Sequence, residues 1–196
     1  MHDAFFEKIT FAKSAPNIKH LPEDIGYEVA FLGRSNAGKS SAINTLVNKK
    51  ALARTSKTPG RTAALNIFPF DDSRRLVDVP GFGYAKVSAA TKEDWRHLIN
   101  NYLSIRECLK GVVLVMDIRH PLRPHEENLL SWLVAAELPV HVILTKADKL
   151  KYGEKKRVLS SVVKHISSGV SVSLFSSKSK EGVDNLRIQL AKWYEI

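Results

Sequence analysis

The sequence predicts a three-layer α/β fold in which a six-stranded, mostly parallel sheet carries helices on both faces. Short apolar or alternating runs, which are typical of strands, recur at residues 27–32, 64–70, 75–79, 111–117, 140–145 and 170–175. Stretches with helical spacing lie among them, over residues 39–48, 89–108, 124–137, 154–167 and 182–194. Strands that alternate with helices favour a parallel sheet covered on both sides.

Composition supports a globular chain. Of 196 residues, 44% are apolar and 26% charged, with 10 Gly and 8 Pro, which excludes fibrous and disordered classes. We expect one domain over residues 1–196, with residues 1–26 as an N-terminal extension packed on it. Cys108 is the single cysteine, which excludes an intrachain disulfide and favours a reducing compartment, so the expected location is cytoplasmic.

Neither membrane insertion nor secretion is expected. The longest apolar run, residues 112–116, is far shorter than the roughly 18 residues that cross a bilayer. The first residues carry charges of both signs and lack the apolar segment of a signal peptide. We therefore expect no membrane partner, and take a monomer as the default.

Positive charge is concentrated locally. The formal net charge is +10, and Lys149, Lys151, Lys155, Lys156 and Arg157 form a cluster that only Glu154 interrupts. A second cluster lies between Glu28 and Asp71, a stretch with seven basic residues and no acidic ones. The basic residues are Arg34, Lys39, Lys49, Lys50, Arg54, Lys57 and Arg61. Such clusters attract polyanions, so nucleic acid is an expected partner; a solvated surface is the alternative.

The first predicted strand leads directly into a glycine-rich loop that matches the pattern GxxxxGK[ST]. Its residues are Gly33, Arg34, Ser35, Asn36, Ala37, Gly38, Lys39 and Ser40. Between a strand and a helix, the amides of such a loop and the helix N-terminus bind phosphate oxygens. Lys39 would add a positive charge there, and the Ser40 hydroxyl would ligate magnesium. A Gly-Ser turn without a ligand is the alternative.

The segment before the second strand should contain the threonine that senses a third phosphate through magnesium. We assign this role to Thr62, because it stands just before the strand at residues 64–70. Gly60 and Arg61 are expected to line the site with it, and Thr55 and Thr58 are the alternatives. The Gly and Pro content here fits a loop that nucleotide orders.

The third strand ends in an acidic residue followed by a turn, Asp78, Val79, Pro80 and Gly81. Alone, this is a common turn. In a P-loop protein a carboxylate at this position orders the magnesium shell, and a glycine amide meets the terminal phosphate. The predicted metal ligands are therefore Ser40, Thr62 and Asp78.

The fifth and sixth strands end in segments that indicate guanine recognition. Thr145, Lys146, Ala147 and Asp148 match the pattern [NT]KxD, and Phe175, Ser176, Ser177 and Lys178 are similar to the SAK loop that closes over the base. A carboxylate at Asp148 can accept both N1–H and the N2 amine of guanine, whereas adenine offers no such pair. GTP is thus favoured over ATP, and a P-loop kinase or ATPase is the alternative. The stem of Lys146 would pack along the purine.

Together these residues resemble the EngB/YsxC (YihA) family of bacterial ribosome-biogenesis GTPases, within the TrmE-Era-EngA-EngB-Septin-like class of P-loop GTPases. The resemblance spans nearly the whole chain and rests on residues 28–41, 58–62, 78–87 and 117–122. It implies a Ras-like domain that binds GTP or GDP with magnesium. It also implies a role in assembly of the large ribosomal subunit and a link to cell division and septation. Composition and spacing indicate none of these biological roles.

Two further positions bear on the expected mechanism. In Ras-like enzymes a glutamine that orients the attacking water follows the DxxG motif, which is residues 78–81 in this chain. This chain has Phe82 at that position. We therefore expect slow hydrolysis, with water positioned by other groups. Arg61 and His120 are candidates. Asn36 matches the asparagine that ligates potassium in TrmE-like relatives, which makes K+ a further candidate cofactor; a hydrogen bond within the loop is the alternative.

The sequence thus predicts a slow GTPase that acts as a GTP/GDP switch, with Lys39 and Thr62 as catalytic residues. The expected partners are GTP, GDP and the large ribosomal subunit or its precursor, through ribosomal RNA. The alternative is an RNA-binding assembly factor in which nucleotide is regulatory and hydrolysis is incidental.

Overall fold

A computed structural model describes residues 3–53, 64–82 and 89–196 of the chain. Within these ranges, one sheet has the strand order β1-β3-β4-β2-β5-β6-β7. The strands are β1 (Lys13–Ala15), β2 (Tyr27–Gly33), β3 (Leu65–Pro69), β4 (Arg74–Asp78), β5 (Leu109–Asp117), β6 (Val140–Thr145) and β7 (Ser171–Leu174). The pairs β1–β3 and β3–β4 are antiparallel, and the pairs from β4 to β7 are parallel.

Helices cover both faces of the sheet. They are α1 (Asp3–Glu7), α2 (Lys39–Leu46), α3 (Ala89–Ile105), α4 (Pro124–Ala135), α5 (Tyr152–His165) and α6 (Val183–Tyr194). One buried apolar cluster contains residues of α3, α4 and α5, and the other contains residues of α1, α2 and α6. The predicted three-layer α/β class is confirmed.

The central strand β2 shows why its sequence is a continuous apolar run. Val29 and Phe31 belong to one core cluster, and Ala30 and Leu32 belong to the other. All four are at most 1% exposed. A strand buried on both faces needs apolar residues at every position, which favours a parallel sheet between two layers of helices.

The N-terminal segment adds a seventh strand to the six predicted ones. The backbone N–H groups of Thr10 and Ala12 donate to Pro69 and Ile67, and β1 continues this antiparallel pairing along β3. Phe6 of α1 is fully buried in the core cluster that also contains residues of α2 and α6. Described residues of the N-terminal segment therefore pack on the edge and on one face of the sheet.

Local hydrogen bonds explain where two helices depart from their predicted bounds. α3 ends at Ile105 because the Asp24 carboxylate accepts the backbone N–H groups of Glu107 and Cys108, at 3.1 and 2.9 Å. α5 begins earlier than predicted, where the Glu154 carboxylate accepts the backbone N–H of Lys151 at 2.8 Å. A side chain that satisfies free backbone groups fixes a helix end.

The topology gathers the predicted motifs at one edge. The parallel strands β2, β4, β5, β6 and β7 end at Gly33, Asp78, Asp117, Thr145 and Leu174. Carboxyl ends of parallel strands lie on the same edge of the sheet, where open α/β sheets bind ligands. Among the described residues, none of the helices is long and apolar enough to cross a membrane.

Candidate functional site

The glycine-rich loop, called the P-loop below, connects β2 to α2 and has a constrained backbone. Gly38 precedes α2 with φ of 95°, and Asn36 has φ of 64°, so both occupy the left-handed region. A Cβ on Gly33 would lie 2.8 Å from the carbonyl oxygen of Val115. The two glycines therefore allow a tight loop that leads straight into the positive end of α2.

The segment after β4 pairs with this loop. The Ser35 backbone N–H donates to the Phe82 carbonyl at 2.9 Å, and the Phe82 N–H donates to the Gly33 carbonyl at 3.3 Å. Gly81 passes so close that a Cβ there would lie 3.3 Å from the Ser35 nitrogen. The structure thus brings the DxxG segment, residues 78–81, against the P-loop.

An ion pair between Lys39 and Asp78 joins the start of α2 to the end of β4. Lys39 is 9% exposed and Asp78 6% exposed. Ser40 follows Lys39 in the first turn of α2. Two of the three predicted metal ligands therefore lie at the ends of neighbouring elements, while Thr62 lies outside the described residues.

The chemistry of Ser40 and Asp78 fits magnesium. Both offer hard oxygen ligands, and Mg²⁺ commonly uses one or two protein oxygens together with waters and substrate phosphates. The described residues contain no group of three or more His, Cys, Asp or Glu side chains that could enclose a metal by themselves. With only these two protein oxygens, a magnesium ion would take waters and nucleotide phosphates as its other ligands.

The end of β6 is attached to the P-loop by two side chains. The Thr145 hydroxyl lies 2.5 Å from the Ala37 carbonyl oxygen and 3.0 Å from that of Met116. The Lys146 ammonium donates to the Asn36 carbonyl at 2.7 Å. Lys146 itself has a left-handed backbone, with φ of 59°. Residues predicted to recognise the base therefore also support the loop predicted to bind phosphate.

Asp148 and Ser176 come together although 28 residues separate them in the chain. The buried Ser176 hydroxyl donates to the Asp148 carboxylate at 2.7 Å and accepts the backbone N–H groups of Lys178 and Ser179. This hydroxyl lowers the pKa of Asp148 and so stabilises its ionised form. Behind it, the Ala147 N–H donates to Phe175, while Ser177 and Lys178 are exposed.

The remaining predicted site residues divide into two groups. Val79 donates its backbone N–H to Phe31, which places Val79 and Pro80 directly after β4. Outside the described residues lie the switch residues Gly60, Arg61 and Thr62, the alternatives Thr55 and Thr58, and the basic residues Arg54 and Lys57.

Sequence reasoning assigned no role to Asp117, the last residue of β5. Its carboxylate accepts the Lys146 ammonium at 2.8 Å and the Arg119 guanidinium at 2.6 Å. Burial alone would raise the pKa of Asp117, but hydrogen bonds from Arg119 and Lys146 hold it well below its ordinary value. The available signal was an acidic residue at the end of a buried strand, the same signal that singled out Asp78.

Comparison with known proteins places this geometry in a family. The family model described as "50S ribosome-binding GTPase" matches residues 28–146. The "Probable GTP-binding protein EngB" of Enterobacter sp. (strain 638) is 51% identical over 192 residues, which cover 96% of this chain and 92% of that protein. The chain belongs to the EngB family of GTPases. As such it binds guanine nucleotides through a P-loop.

Solved structures agree on the fold. A structure titled "Crystal structure of a probable GTP-binding protein engB" aligns with a TM-score of 0.71 at 21% identity, over 86% of this chain and 98% of that one. Era in complex with MgGDPNP and nucleotides 1506-1542 of 16S ribosomal RNA aligns with a TM-score of 0.65 at 19% identity, over 86% of this chain and 57% of that one. The EngB chain thus shares its architecture with other GTPases.

Proposed function

We propose that this EngB-family GTPase is a slow GTP/GDP switch in assembly of the large ribosomal subunit, and that it acts in the cytoplasm as a monomer of one domain, residues 1–196. The observation that carries the proposal is the convergence of three contacts at one edge of the sheet. These contacts are Lys39 with Asp78, Lys146 with the Asn36 carbonyl, and Ser176 with Asp148. Cell division and septation would depend on the switch through ribosome assembly.

The ribosomal partner is supported by three features. The matching family is described by its binding to the 50S ribosome, and Era, a structural neighbour, has been solved with a segment of 16S ribosomal RNA, so the large subunit is favoured by the family description alone. The net charge of +10 favours binding to a polyanion through phosphate contacts. Large-subunit ribosomal RNA or its precursor is therefore the proposed partner.

In the proposed site each residue has one physical role. Backbone amides from Gly33 to Ser40 and the Lys39 ammonium stabilise negative charge on the phosphates. Ser40, Asp78 and Thr62 would hold magnesium, which would supply positive charge to neutralise the phosphate oxygens. The Lys39–Asp78 contact must then open, because both groups acquire new partners.

Slow hydrolysis is proposed from the side chain at position 82. Phe82 has no hydrogen-bonding group on its side chain, and its backbone N–H and carbonyl are already paired with Gly33 and Ser35. It cannot orient an attacking water as a glutamine does. Water would instead be positioned by other groups. The test compares single-turnover hydrolysis by Phe82→Gln and by the wild type, with and without ribosomes. If the variant hydrolyses GTP at the wild-type rate under both conditions, Phe82 does not explain slow hydrolysis.

Potassium remains a proposed cofactor through Asn36. The carbonyl of this residue is occupied by Lys146, while its side chain is exposed at the P-loop. An amide oxygen there could ligate a monovalent cation beside the phosphates. Faster hydrolysis in potassium than in sodium buffer is expected, and Asn36→Ala should abolish the difference.

An RNA-binding assembly factor with incidental hydrolysis is the second candidate. It is favoured by Lys151, Lys156 and Arg157, which are exposed around the start of α5. Salt-dependent RNA binding that is identical with GDP and with a GTP analogue would support this candidate over the switch.

The decisive experiment is exchange of base specificity by Asp148→Asn. An amide replaces one acceptor by a donor, which should weaken GDP binding roughly 10- to 100-fold and improve binding of xanthosine diphosphate. Asp184→Asn is the matched control, because the Asp184 side chain is 90% exposed on α6. Unaltered guanine binding by Asp148→Asn would show that another residue recognises the base.

A further inference from the structure

A cleft lies between the first half of the P-loop and the loop that joins β5 to α4. Arg34, Ser35, Asn36 and Ala37 line one side, and residues from Asp117 to Glu126 line the other. Lys39 and Ser40 do not contribute to its lining. The cleft thus shares residues 34–37 with the P-loop, whereas Lys39 and Ser40 at the start of α2 lie outside its lining.

The charge of this cleft is positive. Arg34, Arg119, Arg123 and Lys146 face only two carboxyl groups, Asp117 and Glu126, which leaves a net charge of +2 with His120 neutral. Asp117 is occupied by Lys146 and Arg119. Glu126 is 2% exposed and accepts the backbone N–H of Arg123 at 2.9 Å. Burial raises its pKa, so negative charge on Glu126 is disfavoured.

Two buried polar atoms of the cleft lack a partner. Within the described part of the chain, neither Arg34 Nε nor Ser35 Oγ has a hydrogen-bond partner. A buried donor that stays unpaired is energetically costly, so such groups usually serve a ligand or a strained function. On the opposite wall the Arg123 side chain is exposed and forms no ion pair with a described residue.

We propose that this cleft binds a phosphate oxyanion, contributed by the backbone of RNA or by free inorganic phosphate, with Arg34, Arg119 and Arg123 as its ligands. Guanidinium groups suit phosphate because their planar forks donate two parallel hydrogen bonds. The positive charge of the cleft attracts both a backbone phosphodiester, which is singly charged, and inorganic phosphate, which is a mixture of singly and doubly charged ions near neutral pH. The RNA source rests on the proposed ribosomal function, whereas the free-phosphate source does not.

The test uses protein saturated with a nonhydrolysable GTP analogue, so that the phosphate cradle is filled before the cleft is titrated. A labelled oligouridylate is titrated by fluorescence anisotropy, and inorganic phosphate by calorimetry. The variants are Arg123→Gln and Arg119→Gln. Arg123→Gln is the cleaner of the two, because Arg119 also holds Asp117. The matched control is Lys192→Gln, which removes one positive charge from an exposed side chain in the last turn of α6, outside both basic clusters.

Binding of the anion should weaken about three- to ten-fold in Arg123→Gln and in Arg119→Gln, and less than about twofold in Lys192→Gln. The slope of oligouridylate affinity against salt should fall by about 1 in Arg123→Gln. Arginine-dependent binding of oligouridylate alone identifies RNA as the source, and arginine-dependent binding of phosphate alone identifies the free ion.

The proposal is overturned if neither anion binds, if the arginine variants bind like the wild type, or if all three variants lose affinity equally. Affinity for the GTP analogue is measured first, so a failure of the proposed nucleotide site is seen separately. The phosphate titration is repeated without nucleotide. Loss of phosphate affinity in Arg123→Gln under that condition shows anion binding in the cleft without relying on the nucleotide site.

Discussion

Thr145 is one of two residues that connect the predicted base-recognition segment to the P-loop. Thr145 is 3% exposed, and its hydroxyl lies within hydrogen-bond distance of the carbonyls of Ala37 and Met116. Thr145→Val keeps the shape but removes this donor from both carbonyls. We expect a loss of about 1–3 kcal/mol in the free energy of unfolding, together with weaker GDP binding. Urea denaturation and GDP titration measure the two effects.

Thr145→Ser provides the matched comparison, because serine keeps the hydroxyl and loses only a methyl group. It should stay within about 1 kcal/mol of the wild-type stability and bind GDP like the wild type. A valine variant that is as stable as the serine variant would show that the hydroxyl contributes nothing to the loop.

Ser176 sets the ionisation of Asp148. Its hydroxyl bond is the main reason that the pKa of Asp148 lies below its ordinary value. Ser176→Ala removes that bond, so the carboxylate should protonate at a higher pH. We expect GDP affinity to fall roughly three- to ten-fold at neutral pH, and its loss on acidification to begin at a higher pH.

The exposed neighbour Ser177 supplies the control for this substitution. GDP titrations across a pH series with Ser177→Ala should match the wild type. If Ser176→Ala and Ser177→Ala give the same pH profile, the hydroxyl of Ser176 does not control Asp148.

At the scale of elements, the sequence predicted what periodicity and burial determine. Six strands and five helices were found because their apolar residues repeat at the spacing of one or two buried faces. β1 was missed because three residues with only Ala15 buried carry no periodic signal. Its pairing comes from the free edge of β3, which is a tertiary effect. The short α1 was missed for the same reason, since its five residues are too few to show a helical period.

Short sequence patterns predicted site residues but not the long-range contacts between them. Local patterns predicted the P-loop, Asp78, Asp148 and Ser176 as site residues, since each pattern is a short run at a strand end. The contacts of Asp117 with Lys146 and of Thr145 with Ala37 span 29 and 108 residues of sequence. Only the strand order brings those atoms together, so no local pattern could have predicted them.

The pair β6 and β7 contains a histidine that is held neutral. His141 is 5% exposed, and its ring nitrogens lie 2.7 Å from the Ser171 hydroxyl and 2.9 Å from the Ser173 hydroxyl. Burial lowers the pKa of His141 from 6.5 to about 4. Since the unfolded chain binds this proton more readily, stability should fall as pH drops through 6.5 towards 4.

Protonation of His141 in the unfolded chain should account for at most about 3 kcal/mol of the free energy of unfolding that is lost on acidification. The measurement is urea denaturation across this pH range for the wild type and for His141→Gln, which cannot titrate. The glutamine variant should lose less stability on acidification. Exposed His125 offers the control, because His125→Gln should leave the pH dependence unchanged. Equal pH dependence in the wild type and His141→Gln would contradict the assignment.

At the scale of the whole molecule, buried charge occupies both ends of the sheet with different consequences. At the carboxyl end, Lys39 and Asp78 pair with each other and are the groups that nucleotide and magnesium would engage. At the amino end, Glu28 is fully buried and pairs with Arg75 and Arg106. At the carboxyl end, the Lys39–Asp78 ion pair would have to open for nucleotide and magnesium to bind. At the amino end, the charge of Glu28 is neutralised by Arg75 and Arg106.

The closed network joins four parts of the chain. The Glu28 carboxylate on β2 accepts Arg75 Nε at 2.6 Å and the Tyr102 hydroxyl at 3.0 Å, besides Arg106. Arg75 also donates to the carbonyl of Ile25 at 2.7 Å, and Arg106 donates to that of Pro22 at 3.0 Å. The N-terminal segment, β2, β4 and the end of α3 are thus fixed around one carboxylate. Burial alone would raise the pKa of Glu28, but bonds from Arg106 and Arg75 outweigh it and lower the pKa.

Glu28→Gln should therefore destabilise the fold without changing the site. The amide leaves two buried guanidinium groups without their anion, which costs about 3–5 kcal/mol. Exposed Glu107→Gln is the matched control and should cost less than about 0.5 kcal/mol. Unfolding is measured without nucleotide, because ligand that binds only the folded state would mask the loss. GDP affinity of the folded Glu28→Gln protein should stay within about twofold of the wild type, since Glu28 lies near the start of β2 and the candidate site at the opposite edge of the sheet. A large loss of GDP affinity with unchanged stability would instead show that the two ends of the sheet are coupled.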